Sequence, residues 1–422
     1  MKILLSVFAC APHSGSETGV GWHWAVELAR AGHQVVALTD ATRRGAIERE
    51  LAVRPVDGLT FVYWRPPLLR RVPLNSRTAQ WLYSTWQYLL LPKARALHRQ
   101  HGFDLAIHLT YGVFRHPSFL GWLGVPFLFG PLGGGEDAPW ELKRDLPLRE
   151  QAKELARALL NQIARWNPML HLALRRATVV LTKTEETRRL LPASCQVRTH
   201  IYPEIGIHVT AAAQGSPVQI RAEGQRLELL FAGRLLGWKG VHLALQAVAR
   251  AVEQGQDVGL TVVGSGPLDQ WLRQMEQGLP SLVGRVRWQA HMPQPALFQL
   301  YGQVHGFLFP SLHDSSGNVV LEAMSFGLPI LCLDLGGPAT LVDGECALVV
   351  PTARATRSDV VDRLAHAIGL WSRDESRRQR MGQAARRRVA SMTWSSRPAG
   401  ALALLAQHLP ADAPRPPCIP PH

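Results

Sequence analysis

Short apolar runs rich in β-branched residues alternate along this chain with longer stretches of helical period. Ile3–Ala9 reads as a strand, Val20–Ala31 as a helix stopped by Gly32, and Gln34–Thr39 as the next strand. Leu105–Leu109, Pro126–Phe129 and Thr178–Thr182 continue the series. The rhythm lapses over residues 203–226, in Pro203-Glu-Ile-Gly206 and Ala211-Ala-Ala-Gln-Gly-Ser-Pro217, and then restarts. Leu227–Phe231 is a strand, Val241–Glu253 a helix and Gly259–Val263 a strand; Val286–Gln289, Gly306–Phe309 and Ile330–Leu333 read as later strands. Such alternation predicts βα units on parallel sheets, so the fold class is α/β. The expected organisation is one α/β domain over residues 1–205, a second over 206–395, and a helix end with a Pro-rich tail over 396–422. A cleft between the halves is the expected ligand site, with Pro203–Pro217 as its hinge.

Length and composition agree with two cores. The chain has 422 residues, 46% hydrophobic and 18% charged, which is the balance of a globular protein. Its net charge of +14 favours an anionic partner but does not choose among phosphate, membrane surface and nucleic acid. No basic stripe with interleaved aromatics is present, so no nucleic-acid partner is expected. The five cysteines are scattered, with no CxxC, which argues for a reducing compartment and against zinc. No Asp-x-Asp or HExxH stands in the chain, and neither a metal nor a cofactor is expected. Lys2–Cys10 has the look of a very short signal peptide, but a first buried strand explains it better. No apolar run reaches the length of a membrane span. A cytoplasmic location follows, with contact to the inner membrane face as an option.

Candidate chemistry gathers in the second half. Pro310-Ser-Leu-His-Asp-Ser-Ser-Gly-Asn-Val-Val-Leu-Glu-Ala-Met-Ser-Phe-Gly-Leu-Pro329 is a strand end, a polar loop and a short helix stopped by Gly327 and Pro329. A glycine loop entering a helix offers backbone N–H groups and a positive dipole end to an anion. Asp314 and Glu322 would repel a phosphate, so they must serve another group, and sugar hydroxyls suit a carboxylate. The plain alternative is a helix start with one capping Asp and one exposed Glu. Ala232-Gly-Arg-Leu-Leu-Gly-Trp-Lys-Gly240 joins a strand to a helix and brings Arg234 and Lys239 to the ligand edge of the sheet, unless it is simply an exposed basic turn. Val262-Val-Gly-Ser-Gly-Pro267 adds Gly264 and Gly266, weak evidence alone.

The first half offers glycine loops. Pro12-His-Ser-Gly-Ser-Glu-Thr-Gly-Val-Gly-Trp22 holds Gly15, Gly19 and Gly21, which allow close approach to a ligand or tight packing. Val125–Glu136 ends in three glycines and Glu136, as a backbone wrapping a ligand would. His116 lies in a neighbouring loop and is either structural or catalytic. Arg65–Arg77 precedes the apolar and aromatic run Trp81–Leu91, which suits a membrane interface slightly better than a core helix. Arg386–Arg388 reads as a solvated face.

The order of motifs resembles the group 1 glycosyltransferases, glycosyltransferase family four, over nearly the whole chain. Its most specific parts are Gly233-Arg-Leu-x-x-x-Lys-Gly240, Gly264-Ser-Gly-Pro267 and Pro310-Ser…Glu322-Ala-Met-x-x-Gly-Leu-Pro329. Gly15–Trp22 and Gly130-Pro-Leu-Gly-Gly-Gly-Glu136 look like a bacterial branch linked to surface polysaccharide assembly. The resemblance implies the GT-B fold, two Rossmann-like domains facing each other across a cleft, with the acceptor on the first and the nucleotide sugar on the second. It implies metal-independent, retaining transfer from a UDP- or GDP-sugar to a saccharide or lipid-linked acceptor; the alternatives are a nucleotide-sugar epimerase or hydrolase on the same fold and a charge-driven membrane or nucleic-acid binding protein. By analogy Arg234 and Lys239 hold the donor diphosphate, Glu322 the ribose and Asp314 the sugar. Gly317, with Ser316 and Asn318 beside it, approaches the phosphate, and Gly15 borders donor and acceptor. The family usually has Glu where Asp314 stands, and often His where Gly130-Pro131 stands; His116 and Glu136 are the candidate replacements.

Overall fold

The computed structural model describes residues 1–75, 78–208, 220–222 and 224–409. Most of the expected hinge, the tail from Pro410 onward and Arg77 lie outside the described residues. The chain forms two compact units. The first takes residues 1–135, 158–206 and 394 onward; the second takes 136–157 and 207–393.

Among the described residues the first unit is built on seven parallel strands: β1 (Lys2–Val7), β2 (Gln34–Thr39), β3 (Leu59–Tyr63), β4 (Leu105–Thr110), β5 (Phe127–Leu132), β6 (Val179–Thr182) and β7 (Thr199–Ile201). Their order is β3-β2-β1-β4-β5-β6-β7. The described residues of the second unit form six: β8 (Leu227–Ala232), β9 (Val258–Val263), β10 (Val286–Gln289), β11 (Gly306–Phe309), β12 (Ile330–Leu333) and β13 (Ala347–Val350), ordered β10-β9-β8-β11-β12-β13. Each sheet therefore runs outward from its first strand, then returns to the other side of it. Such a reversal leaves a crevice beyond the carboxyl ends of the central strands. Leu4 pairs with Val36 on one side and Ala106 on the other, and Leu230 pairs with Thr261 and Phe307.

Central strands buried on both faces read as continuous apolar runs rather than alternating ones. β4 is wholly buried, His108 included. That imidazole shares a hydrogen bond of 2.8 Å with the Tyr83 hydroxyl, and burial pushes its pKa down to about 3. Tyr83 lies on helix Ala79–His101, which buries Leu82, Trp86 and Leu90 in the first core. The same helix leaves Trp81 and Tyr88 exposed. The aromatic run thus has a core face and an outer face.

The late basic run is not simply solvated. Arg386 donates to the Phe326 carbonyl at 3.0 Å, and Arg388 pairs with Asp343 at 2.5 Å, fastening helix Glu375–Ala390 to its neighbours. Helix Ser396–Ala406 belongs to the first unit, where Tyr202 donates to the Arg397 carbonyl at 2.6 Å.

Candidate functional site

In the second unit the loops after β8 and β11 flank the point of strand reversal. Glycine lets them touch. Gly240 has φ +75, and a Cβ there would stand 1.9 Å from the Pro310 carbonyl oxygen. Leu312 N–H and the Ser311 hydroxyl both donate to the Trp238 carbonyl, at 2.8 and 3.1 Å. The clamp brings Lys239 to Asp314, and the two form an ion pair. The Lys239 ammonium also lies over Trp238, 4.4 Å from the ring centre, and 5.1 Å from that of Phe309. Burial alone would raise the Asp314 pKa. The Lys239 charge and hydrogen bond outweigh burial, helped by the backbone N–H groups of Ser316 and Gly317, and hold the carboxyl below its usual range. Asp314 is therefore a neutralised carboxylate, which removes its repulsion of a phosphate.

The N–H of Ser316, 3.3 Å from Asp314 Oδ1, is turned inward to that carboxylate. The outward-facing donors at the start of helix Asn318–Ser325 are left to its first turn. Gly317 caps that helix at φ +79, a conformation that a side chain would strain. Asn318 Oδ1 is buried with no hydrogen-bond partner among the described residues.

Glu322 sits one turn into the helix. Gln294 donates to Oε1 at 2.7 Å and the Tyr301 hydroxyl to Oε2 at 3.2 Å, which fixes the carboxylate's plane. Burial raises its pKa, against the lowering effect of those two bonds. Arg234, by contrast, is exposed, and its guanidinium has no partner among the described residues. It is the open cation of this edge.

Gly264 and Gly266 have a packing role. A Cβ on Gly264 would lie 1.9 Å from the Gly233 carbonyl oxygen, and one on Gly266 2.4 Å from that of Leu235. Both let the loop after β9 lie on the loop that carries Arg234.

One cluster escaped the sequence. Glu154 accepts from His313 at 2.9 Å, and His313 stacks on Trp238 with ring centres 5.0 Å apart. Burial would raise the Glu154 carboxyl, but His313, Arg157 and Lys143 pull it down to about 2. The residues are 159 apart in the chain, so no local pattern could announce them.

The corresponding edge of the first sheet is used differently. Gly15 stands at φ −84 with nothing within 4 Å of a Cβ built on it. The close approaches are at Gly19 and Gly21, where a Cβ would meet the carbonyl oxygens of Ser14 and Ala9 at 2.0 and 2.2 Å. Lys183, after β6, pairs with Glu17 at 2.8 Å and Glu204 at 2.7 Å. Burial would lower its pKa, but the two carboxylates outweigh burial and raise it. Asp40 and Arg65 form a second buried pair, with contacts of 2.8 and 2.9 Å. A cavity of about 340 Å³ opens at the ends of β2 and β3, lined by Thr42, Tyr63, Trp64, Arg65 and Arg70.

His116 is held by Ser84 at 2.6 Å and Gln80 at 3.1 Å, and burial together with Arg115 pushes its pKa down to about 4. It is a neutral imidazole tied to helix Ala79–His101. Two of the three glycines before Glu136 also have packing reasons, Gly134 standing at φ +86 against Val113. Gly135 donates to Thr187 Oγ1 at 3.1 Å and leaves no room for a Cβ, while the Gly134 carbonyl accepts from Asn161 at 3.0 Å. Glu136 is buried and belongs to the second unit, where its carbonyl accepts from Arg157 at 2.6 Å. No group of three or more His, Cys, Asp or Glu among the described residues is placed to hold a metal ion.

Residues 226–369 match the family model of glycosyl transferases, group 1. The matched segment contains Arg234, Lys239, Asp314 and Glu322. A D-inositol 3-phosphate glycosyltransferase of Corynebacterium diphtheriae is 28% identical over 40% of this chain and 39% of its own length. The chain thus spans less than half of that curated relative. Among solved structures, a sucrose-phosphate synthase from Thermosynechococcus elongatus superposes with a TM-score of 0.61 at 19% identity, covering 96% of this chain and 98% of its own. Anabaena HepE in complex with UDP gives 0.59 at 15% identity, covering 96% of this chain and 99% of its own. At these identities the likeness concerns the fold, which is GT-B: α/β, with two parallel Rossmann-like sheets.

Proposed function

We propose that this chain is a glycosyltransferase that moves a sugar from a UDP- or GDP-sugar to a saccharide or lipid-linked acceptor, with retention and without a metal, in surface-glycan synthesis. The observation that carries the reading is the second unit's carboxyl edge. There an open Arg234 and an anchored Lys239–Asp314 pair stand on the two adjoining loops after β8 and β11, and an oriented Glu322 stands on the helix that follows, all within the segment that matches group 1. Arg234 takes the diphosphate as a planar fork, while Lys239 cancels the Asp314 charge that would otherwise repel it. The first-turn N–H groups of helix Asn318–Ser325 complete the anion site. Glu322, already fixed by two donors, accepts the ribose hydroxyls, and Asp314 faces the sugar.

Transfer breaks the anomeric bond to the diphosphate oxygen and forms an anomeric bond to the acceptor oxygen. With both on the same face, the acceptor's proton passes to the departing diphosphate. Catalysis is then positional and electrostatic. HepE's complex with UDP supports testing a uridine donor first.

The test is a thermal-shift screen with UDP, GDP and ADP, no metal added. One nucleotide at a hundredfold excess over its Kd should stabilise the protein by about 2.7 kcal/mol. The shift should vanish in Arg234→Ala, which removes an exposed, unpartnered side chain and leaves the fold intact. No shift with any nucleotide, or a shift unchanged in both Arg234→Ala and Lys239→Ala, overturns the reading.

A further inference from the structure

The first unit carries an apolar face that its own core does not cover. On the last turns of helix Leu148–Arg165, Leu159, Ile163 and, just beyond it, Trp166 are 62%, 58% and 83% exposed. They recur at helical spacing, so they share a side. The inner side of the same turns holds Asn161 and Ala164, both buried. Helix Pro168–Arg176 extends the face with Met169 and Leu172, each more than two-fifths exposed. A run of aromatic contacts links this helix to helix Ala79–His101. Arg176 lies 5.6 Å over Trp122, Trp122 is 5.4 Å from Phe119, and Phe119 is 5.3 Å from the exposed Tyr88. An uncovered apolar surface of this extent on one unit calls for a partner.

The charge around it says which kind. Residues 158–182 contain no Asp or Glu but three Arg, and helix Ala79–His101 contains none but Lys93, Arg95 and Arg99. Exposed Leu and Trp beside cations, with the acids of helix Leu148–Arg165 confined to Glu150 and Glu154 in its first two turns, match a lipid interface: aromatic rings at headgroup depth, alkyl chains below, guanidinium groups on phosphate. No helix among the described residues is long and apolar enough to cross a membrane, so the contact is one of lying on the surface.

We propose that the face formed by Leu159, Ile163, Trp166, Met169 and Leu172 docks this chain on a bilayer that contains anionic lipid. The proposal is independent of the sugar-transfer reading, since none of these residues belongs to the second unit's edge. The experiment is flotation of the full chain with vesicles of phosphatidylcholine, with and without phosphatidylglycerol. The protein should float with the anionic vesicles, and the double variant Ile163→Ser/Trp166→Ser should lower the bound fraction about tenfold or more. Val283→Ser, which removes an exposed apolar side chain of the second unit, should leave binding unchanged. Failure to float, or equal loss in the Val283 control, overturns the proposal. So does light scattering that finds a dimer dissolved by the double variant without vesicle binding, because the occupant is then a second copy. Nucleotide thermal shifts retained by the double variant would separate this outcome from failure of the donor site.

Discussion

The two sheets share one strand order yet spend the charges at their carboxyl edges in opposite ways. At the first edge Lys183 is matched by Glu17 and Glu204, and Arg65 by Asp40. Lys183 and Arg65 are buried and answered, and the recess beyond β2 and β3 is lined by Arg65 and the exposed Arg70. At the second edge Lys239 answers Asp314, while Arg234 stays exposed. Topology supplies a crevice in both cases. Side-chain pairing decides whether the cations beside that crevice are tied to carboxylates, as Lys183 and Arg65 are, or left open, as Arg234 is.

That contrast can be broken by experiment. The largest effect on stability is expected from Lys183→Ala, which strands the nearly buried Glu204 beside Glu17. Loss of one partner of such a pair costs about 3–5 kcal/mol, to be read by urea unfolding. A change below roughly 1 kcal/mol would mean that the first edge is not sealed by this cluster. Lys239→Ala should instead act on activity, with transfer falling roughly 10²-fold or more while the protein still folds. Equal activity of this variant and the wild type would erase the distinction between the edges.

Glycine substitutions sharpen the comparison at the first edge. Gly19→Ala forces a methyl into the Ser14 carbonyl and should cost about 1–3 kcal/mol in thermal unfolding, whereas Gly15→Ala, in open space at an ordinary φ, should stay within about 0.5 kcal/mol. A selective loss of activity in Gly15→Ala would return that glycine to a ligand-facing role.

The smallest effect is in pH dependence. The His116 pKa falls from 6.5 to about 4 on folding, so the unfolded chain takes up the proton first as pH drops. Its contribution to stability is full above pH 6.5 and is lost as pH falls towards about 4. His116→Asn should flatten the stability curve slightly in that window. His108 and His242, also buried and neutral, keep most of the slope. An unchanged slope would mean that His116 titrates alike in the folded and the unfolded chain.

Long buried strands were legible because burial on both faces leaves a continuous apolar signal, as in Leu4–Val7 and Leu229–Ala232. The sequence missed β3, β7 and β13, which are short or partly exposed and carry little such signal. It also missed helix Leu148–Arg165, whose apolar residues largely face outward. The glycines misled in one respect: Gly134, Gly135, Gly264 and Gly266 each have a packing reason in backbone or side-chain contact that a run of glycines does not reveal.

By itself the sequence determined the α/β rhythm, the position of the basic and acidic residues on strand-to-helix loops, and the resemblance to group 1. Those are local properties, set by periodicity and by spacing within one βα unit. Only the tertiary structure decided which charges meet: Lys239 with Asp314, Glu322 with Gln294 and Tyr301, Glu154 with His313, and Lys183 with two carboxylates. These partners lie tens to more than a hundred residues apart, and ion pairing depends on distance and burial rather than on order along the chain.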